Sequence, residues 1–165
     1  MTEATTLDPE NTLVIELETG NVIIELLPDL APTHVARIKE LARDNFYDGI
    51  VFHRVIDGFM AQTGDPTGTG TSGSGKKLRA EFTQEPFVRG IVGMARAQNP
   101  HSGDSQFFIM FDSAPSLNGQ YTVWGRVSEG MDLVDGIKKG APGSGAVDDD
   151  PDRMVSVKVQ ADIAA

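Results

Sequence analysis

The chain has 165 residues, 39% of them hydrophobic and 23% charged, which suits one domain with a single sizeable core. A net charge of -10 and a pI near 4.6 exclude the clustered basic surface that nucleic acid requires. No apolar run approaches the roughly 18 residues of a membrane span, and the absence of cysteine excludes disulfides, thiol catalysis and thiolate metal sites.

Met1 to Asn11 is polar and acidic, without the basic start and apolar stretch of a secretory signal. It is expected to be a flexible extension, residues 1–11, ahead of one domain over 12–163. A cytoplasmic location is expected, or a periplasmic one if a signal has been removed. Residues 12–18 then alternate, with Leu13, Ile15 and Leu17 on one face and Glu16 and Glu18 opposite. Residues 21–27 do the same with Val22, Ile24 and Leu26 against Glu25, and Thr19-Gly20 between them suits a hairpin turn. Pro32 suits a helix start, and Val35, Ile38, Leu41 and Ala42 recur at helical spacing as far as about Asn45. Short strand-like runs follow near 51–56, 59–63, 91–97, 106–112 and 121–127. A second, shorter helix is predicted over 131–138, ending at Gly140. The last strand, 154–160, alternates Val155, Val157 and Val159 with polar residues. Many short strands with Gly-rich punctuation predict an all-β barrel or sandwich, with the two helices placed to plug open barrel ends. Two loops, 64–77 and 140–153, are longer than ordinary connections and are either functional or mobile.

Several motif-like stretches carry bland readings. Gly68-Thr69-Gly70-Thr71-Ser72-Gly73 matches G-x-G-x-x-G, and Gly70 to Lys77 approaches a phosphate loop. Neither sits between a strand and a helix, so both read as plain loop. Asp148-Asp149-Asp150 with Asp152 lacks the turn Gly and distal Glu of a calcium loop and reads as solvated charge. His34, His53 and His101 lack metal-ligand spacing, so neither a metal nor a cofactor is expected.

Two segments read as halves of one site. One is Phe52-His53-Arg54-Val55-Ile56-Asp57-Gly58-Phe59-Met60-Ala61-Gln62-Thr63-Gly64-Asp65. The other is Gly93-Met94-Ala95-Arg96-Ala97 with Ser105-Gln106-Phe107-Phe108-Ile109. Apolarity alone makes their Phe and Met residues core. Arg54, Gln62 and Gln106, inserted into the apolar runs, point instead to a lined pocket, because such groups are costly to bury unpartnered. An apolar pocket with one fixed guanidinium suits a greasy ligand that carries an amide, such as a proline within a peptide.

At these residues, together with Gly125-Arg126-Val127 and Glu129-Gly130-Met131-Asp132-Leu133-Val134, the chain closely resembles the cyclophilins, peptidyl-prolyl cis-trans isomerases, and in particular their bacterial members. The likeness runs from about residue 12 to 163. It implies an eight-stranded antiparallel closed barrel capped by two α-helices, with the site on its outer face. It implies catalysis of rotation about X-Pro bonds in proteins, assisting folding, with Arg54 as the catalytic guanidinium and Gln62 supporting it and touching the substrate backbone. Phe59, Met60, Phe108 and Leu117 would form the proline pocket, closed by Tyr121 where many relatives carry His. Ala95, Ala97, Gln106 and the backbone at Arg96 would line the groove beside it. Ser116 stands where many eukaryotic relatives have a Trp that helps hold cyclosporin, so weak cyclosporin binding is expected; Arg96 replaces an Asn common in the same relatives. A monomer with proline-containing polypeptides as partners, and without nucleic acid or membrane partners, is expected. Two other readings remain open at this stage: a proline-recognition module on the same scaffold, and a barrel carrying an apolar ligand inside.

Overall fold

Residues 8–70, 72–142, 144–147 and 149–163 are described by a computed structural model. Residues 1–7, most of the expected extension, fall outside them, as do Thr71, Asp148 and their share of the motif-like stretches. Pro9–Asn11 forms a single 3-10 turn capped by the Asp8 carboxylate. The alternating runs become strands β1 (Thr12–Leu17) and β2 (Gly20–Leu26), paired as a hairpin. Helix α1 (Pro32–Arg43) buries His34, Val35, Ile38, Leu41 and Ala42. Strands β3 (Arg54–Ile56), β4 (Met60–Thr63), β5 (Ile91–Met94) and β6 (Phe107–Met110) follow. The chain ends with β7 (Val123–Glu129), the short helix α2 (Met131–Asp135), β8 (Met154–Val159) and a single turn, α3 (Gln160–Ile163). A 3-10 turn at Pro115–Leu117 precedes β7. The helices thus number three among the described residues, not two, and α2 is shorter than the stretch predicted for it. None is long and apolar enough to cross a membrane.

All eight strands lie in one antiparallel sheet, in the order β3-β4-β6-β5-β7-β2-β1-β8. The closed barrel expected from sequence is not formed: the sheet is open, with no ladder joining β3 to β8 among the described residues. The reason is that other chain occupies the outer edge of β3. Val55 N donates to Gly145 O (2.8 Å), Gly140 N to Val55 O (2.8 Å) and Val147 N to His53 O (3.1 Å), and Arg54 bridges Ala146. Segment 49–52 meets the start of β8 only through the Val51–Arg153 bridge and three backbone hydrogen bonds, those of Gly49, Phe52 and Met154.

The sequence alternation of β8 also needs correction. Val155 is exposed while Met154, Val157 and Val159 are buried. The register steps from Glu16–Ser156 to Leu17–Met154, so Val155 is the extra residue of a β-bulge, turned outward. A second bulge lies in β7, where Val92 faces Gly125 but Gly93 faces Val123. Val123 and Trp124, neighbours on opposite faces of the strand, are both buried, each in a different apolar cluster.

Those two clusters decide between core and pocket wall. The larger fills the interior around Trp124, Phe107, Tyr47 and Phe52, with Phe107 edge-on to both Tyr47 and Trp124. The smaller gathers Met60, Phe87, Ile91, Phe108, Met110 and Val123. Period two along the strands sorts the residues. Ala61, Phe107, Ile109 and Val92 go to the interior, and Met60, Phe108, Met110 and Ile91 to the second cluster. The run Phe107-Phe108-Ile109-Met110 is buried throughout because it serves both.

Both ends of the long Gly-rich loop are held by carboxylates. Asp65, fully buried, accepts hydrogen bonds from Thr67 N and Oγ1 (2.7 Å each), Gly70 N (2.6 Å) and Ser72 N (3.1 Å). Burial alone would raise its pKa, but these donors outweigh that and lower it to about 2. Asp104 accepts from Ser74 N, Ser74 Oγ and Gly75 N, and Arg37 of α1 donates to Ser74 Oγ. The G-x-G-x-x-G stretch therefore wraps an anion after all, a carboxylate of its own chain. Glu81 does a similar task at the start of α1, which has no side-chain cap of its own. It accepts from Thr33 N, His34 N and His34 Nδ1, while burial holds the imidazole below its ordinary pKa against the pull of that carboxylate.

Candidate active site

The second apolar cluster forms the floor of a cleft of about 210 Å³, lined by Arg54, Phe59, Met60, Gln62, Ala95, Arg96, Phe108, Leu117 and Tyr121. These are nine of the eleven residues singled out in the sequence. The other two, Ala97 and Gln106, line an adjoining cleft of about 420 Å³ that shares Gln62, Ala95 and Arg96 with the first. Five elements contribute. Strand β3 supplies Arg54, β4 supplies Met60 and Gln62, β6 supplies Phe108, and the turns around β5 and β7 supply Ala95, Leu117 and Tyr121.

Strand pairing sets the polar side. Arg54 lies directly opposite Gln62, and Gln62 opposite Phe108. The guanidinium is tethered twice: Nε donates to Ser144 O (3.1 Å) and Nη1 to Gln62 Oε1 (3.4 Å). Gln62 Nε2 donates to Gln106 Oε1 (2.9 Å), and Gln106 Nε2 to Ser72 O (2.9 Å). The relay runs in one direction, from a cation through two amides to a main-chain carbonyl. Nη2 of Arg54 has no protein partner among the described residues, so the fork keeps donors for a ligand in the cleft.

The apolar side rests on an aromatic trio. Phe108 stacks on Phe87 (centroids 5.8 Å apart, planes 25° apart) and meets Tyr121 edge-on (5.5 Å, 89°). Sequence reasoning missed Phe87. It is fully buried between the exposed Pro86 and Val88, and no strand or helix pattern marks it. Its backbone bonds to Asn118 and Ala114 tie it to the turn carrying Leu117. Also missed were the carbonyls of Ser72 and Ser144, which no side-chain pattern could reveal. Arg96 lies with its guanidinium over Tyr121 (4.8 Å) and beside Phe82 (5.9 Å). It donates to the carbonyls of Gln120, Ala97 and Gln98.

The fold and the site define an antiparallel β protein with an open sheet, an apolar cleft and a tethered guanidinium at the mouth of that cleft. Comparison with known proteins makes the class specific. The family model for cyclophilin type peptidyl-prolyl cis-trans isomerase matches residues 12–159. A probable peptidyl-prolyl cis-trans isomerase of Brucella suis is 54% identical over 171 residues, covering 96% of this chain and 87% of the relative. The crystal structure of a cyclophilin from Hirschia baltica superposes with a TM-score of 0.84 at 31% identity, over 96% of this chain and 77% of the other. A cyclophilin type isomerase of Cryptosporidium parvum, crystallised in the presence of the dipeptide Ala-Pro, gives a TM-score of 0.80 at 29% identity, over 90% and 98%. The chain belongs to the cyclophilin-type peptidyl-prolyl cis-trans isomerases.

Gly93 controls the cleft floor. A Cβ there would lie 2.7 Å from Phe87 Cε2 and 2.8 Å from Phe108 Cζ. Gly93→Ala is expected to push the stacked rings apart, to cost about 1–3 kcal/mol in urea unfolding, and to weaken binding of a proline peptide. A variant that binds the peptide as tightly as the parent would show that the stack does not set the pocket.

Proposed function

We propose that Arg54 and Gln62 carry the isomerisation, on X-Pro bonds of polypeptides whose proline ring enters the cleft of Phe59, Met60, Phe108, Leu117 and Tyr121. Ala95, Arg96, Ala97 and Gln106 flank the backbone of the bound chain. The observation carrying this reading is the doubly tethered Arg54 guanidinium at the mouth of an apolar cleft. The Cryptosporidium relative, crystallised in the presence of the dipeptide Ala-Pro, supports proline-containing ligands for this chain as well.

The chemistry follows from the amide. Resonance sets a barrier of about 18–20 kcal/mol to rotation about a peptide bond, while the two X-Pro isomers differ by only about 0.5–1 kcal/mol. No bond to a proton or a nucleophile has to be made; the enzyme need only favour the twisted amide over the planar one. On twisting, the proline nitrogen becomes pyramidal and its lone pair localises. The free donors of Arg54 then bind it more strongly than they bind the planar form. A million-fold acceleration needs about 8 kcal/mol, and one positioned donor supplies about 2.7–4. The remainder comes from gripping the ring while the preceding carbonyl turns in a site poorer in water than the bulk. Exchange NMR on an X-Pro peptide tests the reading: wild-type protein is expected to accelerate exchange, and shift changes are expected to centre on Phe108 and Tyr121. Acceleration with shifts confined to another face would overturn the site.

We further propose a cytoplasmic, bacterial-type monomer that binds neither nucleic acid nor membrane; the net charge of -10 supports the absence of nucleic acid. The domain itself spans residues 12–163, and Glu10 just ahead of it pairs with Lys39 and Arg43 of α1. Cyclosporin is expected to inhibit weakly, because Ser116 offers no indole to it; inhibition as tight as that of a Trp-bearing relative would contradict this.

A further inference from the structure

The larger of the two clefts carries a charge pattern unlike the rest of the molecule. The chain is strongly acidic, yet this cleft is lined by two cations, Lys77 and Arg96, and one anion, Asp104. The carboxylate of Asp104 is already engaged by Ser74 N, Ser74 Oγ and Gly75 N, so its charge is held by the loop that forms one wall of the cleft. The cations are differently placed. Lys77 is exposed and makes no ion pair or hydrogen bond among the described residues. Arg96 uses Nε and Nη1 on three carbonyls and lies over Tyr121, which fixes the plane of its guanidinium while Nη2 has no protein partner among the described residues. One pre-oriented guanidinium nitrogen, Nη2, and an exposed ammonium share one concave surface. That surface also shares Gln62, Ala95 and Arg96 with the cleft assigned to proline.

We propose that this second cleft takes the carboxylate side chain of an Asp or Glu lying within a few residues of the substrate proline, held by Nη2 of Arg96 and Nζ of Lys77. The proposal rests on the assignment of the first cleft to proline, since the shared wall is what makes both segments parts of one bound chain. Nη2 suits the task because a guanidinium stays charged and its plane is already fixed, so a charge-assisted hydrogen bond to a carboxylate needs little further ordering. The gain is modest because the pair is solvent-accessible, and it falls with salt because it is electrostatic.

The test compares peptides that differ only by Glu or Gln at single positions two or three residues to either side of the proline, with kcat/KM measured by exchange NMR. At low salt the Glu peptide is expected to exceed its Gln counterpart by about two- to five-fold at positions on one side of the proline. The ratio is expected to fall towards one at about 1 M salt. Lys77→Gln is expected to lower the ratio, Lys77→Glu to invert it, and Arg96→Gln with Lys77→Gln to abolish it. A ratio of one at every position in the wild type, or a ratio untouched by Lys77→Gln and Lys77→Glu, would overturn the proposal. Because each ratio is taken within one variant, loss of overall activity or stability in Arg96→Gln does not imitate the result. Failure of the wild type to accelerate even the Gln peptides would instead overturn the proline assignment, which keeps the two outcomes apart.

Discussion

Arg54→Ala is expected to lower kcat/KM for an X-Pro peptide by about a hundred- to a thousand-fold, the usual effect of removing one positioned donor from a transition state. Peptide affinity is expected to change far less, because Phe59, Met60, Phe108 and Leu117 form the cleft without help from the guanidinium. Arg54→Lys is expected to fail almost as badly. The guanidinium performs three tasks at once: Nε reaches Ser144 O, Nη1 reaches Gln62 Oε1, and Nη2 remains for substrate. A single ammonium on a flexible stem cannot hold both tethers and still present a donor in a fixed direction. Exchange NMR with both variants, at peptide concentrations above and below half-saturation, separates the loss in kcat from any change in binding. Wild-type turnover in Arg54→Lys would show that charge alone is enough and that the tethers are irrelevant.

Asp65→Ala is expected to cost about 3 kcal/mol of stability, the upper end for leaving buried hydrogen-bonding groups unpaired, since several donors lose one acceptor together. It is also expected to reduce activity in the protein that remains folded. Ser72, whose amide binds Asp65, presents the carbonyl that anchors Gln106, and through it Gln62 and Arg54. The pH dependence has a definite sign. The carboxyl is lowered from 3.8 to about 2 in the folded protein. Its contribution is therefore complete above about pH 4 and is lost as pH falls through about 2. Acid unfolding of the wild type is expected to steepen across that interval, and Asp65→Asn to lose that part of the pH dependence. Equal slopes in the two proteins between pH 4 and 2 would exclude this account.

Much of the site was legible because strands write their faces into sequence with period two. The roles of Arg54, Gln62, Met60 and Phe108 come from the resemblance to the cyclophilins, and the pairing of β3, β4 and β6 puts them on one surface, with Arg54 opposite Gln62 and Gln62 opposite Phe108. Other features left no such trace. Val155 looked like an inward residue, and only a one-residue slip against Glu16 and Leu17 turns it out. The open sheet depends on which chain reaches β3 first; loop 140–147 takes that edge, and nothing in its Gly/Pro/Asp composition announces it. Phe87 and Glu81 act across the fold from positions with no local periodicity, so only tertiary packing shows their use. The Gly-rich loop reads as plain loop in the sequence, yet the group it wraps, the Asp65 carboxylate, lies just upstream and was passed over.

The carbonyls of Ser144, Ser72 and Gln120 have a consequence for how such a site tolerates change. All three are main-chain acceptors for side chains in the clefts. Replacing Ser72 or Gln120 by alanine leaves the carbonyl in the main chain, so an alanine scan passes over these supports of Gln106 and Arg96, whereas Ser144 also accepts from Ala146 N through its hydroxyl. Removing or adding one residue between 141 and 147 shifts the acceptor itself by about 3.8 Å, the spacing of successive Cα atoms. Drift by substitution is nearly free at Ser72 and Gln120, whereas a change in loop length is as severe as the loss of a side chain in the cleft.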